Sequence, residues 1–326
     1  MADINRRHVT ALIGSAILGP FAAPSIVKAR SAKPIFIIVP YAAGGSIDSL
    51  MRSIAKGMAE ALDQPVLVDN KPGANGIIGS QYVAQAPKDG TVLLAGGTGP
   101  ISLNVLLRKN LPYRIEDFVS VAMLCNGPLS LTVNSKVPAA DVKTFVAYAK
   151  TRDKPLLYAT LGPGSVTHLF GIMMSKSMRF AVTDVPYRNN PASVMDLLAG
   201  LNDLNFATPA AVMEHATAGT LRILAVSSNK RLPGLPDIPT LEESGYPELT
   251  ASFWTALHAP AGTPPDIIAK LNVAANTAMQ KPEIADELKT DALLADTGAP
   301  ELLDRQLRKD AELWGPVIQA QHIALD

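Results

Sequence analysis

Hydrophobic positions along this chain follow two alternating periods. Residues 35–39 form a continuous apolar run, which gives way after Pro40 to the turn Tyr41-Ala42-Ala43-Gly44-Gly45-Ser46. Past the turn, Ile47, Leu50, Met51, Ile54 and Met58 recur at helical spacing, the apolar face of a helix. The same order returns twice. Residues 65–70 predict a strand, 71–76 a turn and 77–86 a helix. Residues 91–95 predict a strand, Gly96-Gly97-Thr98-Gly99-Pro100 a turn and 101–108 a helix.

A second set begins with strands at 119–124 and 129–133, parted by Asn126-Gly127-Pro128. Asp141 is placed to cap a helix running to residue 150. Residues 156–159 predict a strand and 160–165 a glycine turn. Val166, Leu169, Phe170 and Met173 then share one helix face. Strands follow at 182–187, 203–207 and 221–227, with helices opening at Pro191 and after Thr208-Pro209; proline suits a first helical turn. The proline-rich stretch 232–239 reads as a surface crossing, and helices at 265–279, 282–289 and 301–319 complete the pattern. Strands alternating with helices predict an α/β architecture, with glycine turns on the sheet edge where such folds bind ligands.

Composition narrows the function. The 326 residues carry 29 basic and 29 acidic side chains, and no basic run interleaves with aromatics. Nucleic acid is therefore not an expected partner. Arg6-Arg7 precedes an apolar stretch, residues 9–27, broken by Gly14, Gly19, Pro20 and Pro24 and followed by Val27-Lys28-Ala29. Residues 1–29 read as an export signal of twin-arginine type, cleaved after Ala29 or, alternatively, Ala32. The prolines argue against a membrane anchor. Roughly 300 residues remain, enough for two domains. Cys125 is the only cysteine and sits in an apolar run, a buried thiol rather than a reactive one.

The first glycine turn opens a helix whose free N–H groups carry partial positive charge and attract carboxylates or phosphates. A dinucleotide fingerprint is incomplete at Gly44-Gly45-Ser46 and at Gly73–Gly79, and no Walker lysine motif is present, so no cofactor is expected. Neither Ser46 nor Ser165 lies in a G-x-S-x-G elbow. His168 follows Ser165 by one helical turn, which makes a Ser–His pair conceivable, but no orienting acid stands out. Helix capping by Ser165 is the better reading. His168, His215, His258 and His322 have no zinc spacing, and no metal is expected. Asp48 suits the helix N-terminus, while Trp254 and Trp314 read as packing residues. What remains is binding by backbone N–H groups and hydroxyls, suited to reversible capture.

Ordered motifs now add up to a resemblance. They are VPYAAGGSID (39–48), VDNKPGANGIIG (68–79), PKDGTVLLAGGTG (87–99), LPYRIEDFVSVA (111–122), GPGSVTH (162–168), VPYRN (185–189), LRILAVSSNKRLPGLPDIPTLEESG (221–245) and APAGTPPDI (259–267). Together they resemble the substrate-binding receptors of tripartite tricarboxylate transporters, the Bug family, over residues 33–326. The resemblance implies a type II periplasmic-binding-protein fold, two α/β lobes joined by crossing hinge strands. The first lobe would hold 33–107 and 228–326, the second 108–227.

The resemblance further implies a periplasmic, non-enzymatic, monomeric receptor. It would close on a small organic carboxylate and pass it to large and small membrane permease subunits. The first-lobe carboxylate site maps onto Tyr41, Ala43, Gly44, Gly45 and Ser46, with Thr98 and Gly99 nearby. Ser165, Thr167 and His168 match the second-lobe motif, with Ser165 and Thr167 donating to a distal group. Tyr187 and Asn189 match the following turn, where Arg188-Asn189 stands in place of the Lys-Gly common in relatives. Ala207 stands where many members carry an acid, which argues against an amino-acid ligand. A sensory receptor signalling to a membrane kinase and a Ser165–His168 hydrolase are the alternative readings.

Overall fold

The computed structural model describes residues 33–320, together with Ile323 and Leu325. The expected export signal, its alternative cleavage point at Ala32, and His322 lie outside the described residues. Strand β1 (Ile35–Val39) leads through the glycine turn into α1 (Ser46–Leu62), then β2 (Val66–Asn70), α2 (Ile77–Ala84) and β3 (Val92–Gly97). A π-helical turn (Thr98–Leu103) runs into α3 (Asn104–Leu107), and β4 (Phe118–Pro128) follows. Next come β5 (Ser130–Asn134), α4 (Val142–Lys150), β6 (Leu156–Thr160), α5 (Val166–Met178) and β7 (Val182–Pro186). Then follow α6 (Asn190–Ala199), β8 (Leu204–Ala207), α7 (Pro209–Thr217) and β9 (Leu221–Val226). The chain closes with β10 (Ser252–Pro260), α8 (Pro265–Met279), α9 (Pro282–Thr290), β11 (Leu294–Ala295) and α10 (Glu301–Ala320).

Two sheets form, ordered β11-β4-β10-β3-β1-β2 and β7-β6-β8-β5-β9. In the first, β1 runs parallel to β2 and β3, and β10 lies antiparallel between β3 and β4. In the second, β6 runs parallel to β7 and β8, while β5 is antiparallel to β8 and β9. This is the two-lobed α/β arrangement of periplasmic binding proteins.

The chain changes sheet at Leu129 and returns through Ser227 and Ala251. These residues are knitted together. Leu129 N–H donates to Ser227 Oγ at 2.8 Å, Ser227 N–H to the Leu129 carbonyl at 2.9 Å, and Ser227 Oγ to the Ala251 carbonyl at 2.6 Å. The expected lobe boundaries shift accordingly. Residues 118–128 belong to the first sheet, because β4 pairs with β10 along its length. Thr240 bridges Val226, and Leu241 and Leu249 join the second-lobe core, so that stretch packs on the second sheet.

Each lobe has its own core. In the first, Leu50, Met51, Ile54 and Met58 of α1 pack on Ile37 and Val39 of β1 and on Leu271, Ala274 and Ala278 of α8. A Cβ at Gly57 would stand 2.7 Å from the Ala278 Cβ, so α1 and α8 approach closely only because Gly57 has none. In the second, Phe145, Tyr158, Phe170 and Phe206 form the centre. Helix α10 spans both, with Leu303 in a first-lobe cluster and Trp314 and Ile318 in the second-lobe core.

Candidate functional site

A cleft of about 260 Å³ opens where the two sheets face each other beside the crossing strands. The first lobe contributes Tyr41, Gly45, Ser46, Thr98 and Gly99, and the second contributes Ser165, Thr167 and Ala207. Eight of the thirteen expected residues therefore share one cavity. Ala43, Gly44, His168, Tyr187 and Asn189 do not line it.

The glycine turn shapes the first-lobe wall. Gly44 sits at φ +85°, a left-handed conformation that side chains resist, and Gly45 is the N-cap of α1. The first-turn N–H groups of α1, at Ser46 and Ile47, have no helical acceptor, and both residues line the cleft. Asp48 lies behind them, 4 % exposed, and accepts from Gly44 N–H, from Asn70 and from both Arg52 Nε and Nη2. Burial opposes its ionisation. The hydrogen bonds from Gly44, Arg52 and Asn70, with the Arg52 charge, outweigh burial and hold its carboxyl below the ordinary range. Among the described residues, the only charged one on the cleft wall is thus neutralised by Arg52, and it braces the turn without repelling an anion.

Behind Thr98 the second glycine turn is tied to β10. Thr98 Oγ1 accepts the Trp254 N–H at 2.8 Å, and Trp254 Nε1 donates to Asp310 Oδ2 of α10 at 2.8 Å. Thr98 keeps its own hydroxyl proton, for which no acceptor stands among the described residues. Tyr41 remains a neutral phenol, its pKa pushed above the ordinary value by burial and by Tyr113.

The second-lobe wall departs from expectation in how its hydroxyls are used. Ser165 Oγ donates to the Gly162 carbonyl at 2.6 Å and accepts the His168 backbone N–H. Because the single serine proton is committed, Thr167 Oγ1 donates to Ser165 Oγ, and it accepts from Leu161 N–H at 2.9 Å. Neither hydroxyl retains a proton for a ligand. The available donors there are the first-turn N–H groups of Val166 and Thr167 in α5.

The conceivable Ser165–His168 pair is not formed. The imidazole Nδ1 accepts Gly164 N–H at 3.3 Å, and desolvation lowers its pKa. Tyr187 Oη lies 2.8 Å from both Asp196 Oδ2 and Asn202 Oδ1 and shares its one proton between them, so it braces α6 instead of facing the cleft. Asn189 is the N-cap of α6 and accepts Ala192 N–H at 3.0 Å, which leaves Asn190, not Asn189, on the cleft wall.

Sequence reasoning missed most of the apolar lining. Ile47, Leu161, Val166, Phe206, Phe253 and Trp254 face the cavity, with Leu129 at the crossing. Trp254 was visible only as a packing residue, and Phe206 only as the neighbour of Ala207. Asn75, also on the wall, lay inside the predicted turn, at φ +52° and with its amide donating to Asn104.

The comparisons with known proteins point one way. Residues 50–323 match the family described as tripartite tricarboxylate transporter family receptor. Protein BugT of Bordetella pertussis is 33% identical over 97% of this chain and 98% of its own. The solved periplasmic binding protein BugD superposes with a TM-score of 0.78 at 29% identity, covering 89% of this chain and 98% of its own. R. palustris Rpa4515, solved with adipate, superposes with a TM-score of 0.81 at 29% identity, covering 89% of this chain and 98% of its own.

Proposed function

This chain belongs to the tripartite tricarboxylate transporter receptor family, and from that premise we propose that it captures a small organic carboxylate in the interlobe cleft and hands it to membrane permease subunits. The observation that carries the reading is the open N-terminus of α1. Ser46 and Ile47, whose N–H groups have no helical acceptor, line a cavity whose one wall charge among the described residues, Asp48, is already paired with Arg52. Gly45, Ser46, Thr98 and Gly99 hold the carboxylate, with Tyr41 donating from the side. The α5 N–H groups of Val166 and Thr167 close on the other end of the ligand.

Uncharged donors suit a carrier, because release must follow capture and a desolvated arginine clamp slows dissociation. The lobes close by bending at Leu129, Ser227 and Ala251, the short hydrogen-bonded crossings. The protein acts after export in the periplasm, as a monomer and without catalysis.

Isothermal calorimetry of the chain lacking residues 1–29 against a panel of organic acids tests this reading. One carboxylate bound per chain, unchanged on recovery, is expected. A panel that fails to bind, or a ligand returned as hydrolysis product, overturns it. Loss of uptake of that same acid on deletion of the gene separates transport from sensing.

A further inference from the structure

The cleft wall is largely apolar. Ile47, Phe253 and Trp254 of the first lobe line it together with Leu161, Val166 and Phe206 of the second. Apart from the Thr98 hydroxyl and the Tyr41 phenol, both assigned above to the carboxylate, the side chains that keep a free polar group sit at helix starts. These are Ser46 at the first residue of α1, Asn190 at the first residue of α6, and Thr208 at the N-cap of α7. The others are committed: Asn75 to Asn104, Ser165 to Gly162, Thr167 to Ser165 and Asp48 to Arg52.

We propose that the cleft selects carboxylates with an apolar body, an unsubstituted aliphatic chain or an aromatic ring, and rejects those with hydroxyl or amino groups between their ends. The inference rests on the carboxylate-receptor reading above and names the ligand class within it. A mid-chain hydroxyl entering this cavity gives up its water and meets carbon. Apolar pockets reject such an added hydroxyl by roughly 10- to 100-fold. An ammonium group fares worse, because Asp48, the one carboxylate on the wall among the described residues, is saturated by Arg52, Asn70 and Gly44. Ala207 at the end of β8, 1 % exposed, offers no counter-charge. The cavity volume of about 260 Å³ limits the body to a short chain or a single ring.

Matched ligands test this on the unaltered protein. Calorimetry compares glutarate with 3-hydroxyglutarate and 3-aminoglutarate, whose substituent sits mid-chain whichever end enters first. Adipate with 3-hydroxyadipate, and 3-phenylpropionate with 3-hydroxy-3-phenylpropionate, extend the comparison to a longer chain and a ring. In whichever series binds, the unsubstituted acid is expected to bind at least about tenfold tighter than its hydroxy or amino partner.

Two substitutions then place a partner on the wall. Val166→Thr is isosteric, and Leu161→Asn changes a side chain that is 44 % exposed, so neither threatens the fold. Each is expected to shrink the ratio at least about threefold. Hydroxy or amino acids that bind as tightly as the unsubstituted ones, or a ratio unmoved in both variants, overturn the proposal and leave the receptor reading standing. Absence of binding by every acid in all three series counts against the receptor reading itself.

Discussion

Substituting Thr98 by valine keeps the side-chain shape and removes its oxygen. That oxygen accepts the Trp254 N–H at 2.8 Å, at a residue 2 % exposed. Valine leaves the N–H without a partner in a dry pocket, at a cost of about 1–3 kcal/mol. At roughly 2–4 °C per kcal/mol, the melting temperature should fall by roughly 2–12 °C. The threonine proton is the one offered to a ligand carboxylate. A hydrogen bond to a charged group contributes about 1.5–3 kcal/mol, so affinity should fall roughly 10- to 150-fold.

Thr98→Ser is the control. It keeps the oxygen and its proton and loses one methyl group, for about 0.8 kcal/mol of stability, with affinity within about threefold of the parent (under 1 kcal/mol). Urea denaturation reads the first quantity and calorimetry the second. The reasoning is refuted if the valine variant melts and binds like the parent, or if the serine variant loses as much affinity as the valine one.

Three further outcomes are expected. Asp48→Asn destabilises the chain at neutral pH, where the lowered carboxyl pKa of the folded state contributes stability; as pH falls below the unfolded value of 3.8 and through the folded one, that contribution disappears, so the difference between parent and variant should close in acid denaturation curves. Gly57→Ala pushes a methyl group to 2.7 Å from the Ala278 Cβ, and its cost of about 1–3 kcal/mol exceeds the roughly 1 kcal/mol gained in helix propensity. Adding Ala278→Gly should recover part of that loss in a double-mutant cycle, and strict additivity would mean that the two do not touch. Asn189→Ala removes the α6 cap and costs about 1 kcal/mol in denaturation, while ligand affinity stays unchanged because the side chain is spent on Ala192 N–H.

Helix faces and buried strands were legible because spacing carries them. The run at 35–39 became β1, and Leu50, Met51, Ile54 and Met58 became the buried face of α1, with Ile47 at the cleft. Asp141 caps α4, accepting from Thr144 N–H. Nonlocal pairing was harder to read. Asn126-Gly127-Pro128 carries turn chemistry, yet β4 runs on through it, because Gly127 and Pro128 pair with Phe253 and Ser252 of β10. Strand β10, central in its sheet, shows in the sequence chiefly as the packing residue Trp254.

The site divides along the same line. Backbone donors follow from a glycine turn before a helix, and Gly45, Ser46, Thr98 and Gly99 line the cleft. The use of side-chain protons does not follow from residue type. Ser165 and Thr167 reach the wall with their hydroxyls committed to the loop. Asn189 misses it by one residue because the helix begins at Asn190. The apolar lining depended on two lobes meeting, which no local pattern encodes.

The crystal structure of the protein with the tightest-binding carboxylate tests the central claim most directly. The account predicts one carboxylate with its oxygens about 2.7–3.1 Å from the Ser46 or Ile47 N–H and the Thr98 hydroxyl, hydrogen-bond range, and its body against Phe206 and Phe253. A carboxylate seated on an arginine or lysine, or bound away from the start of α1, would contradict it.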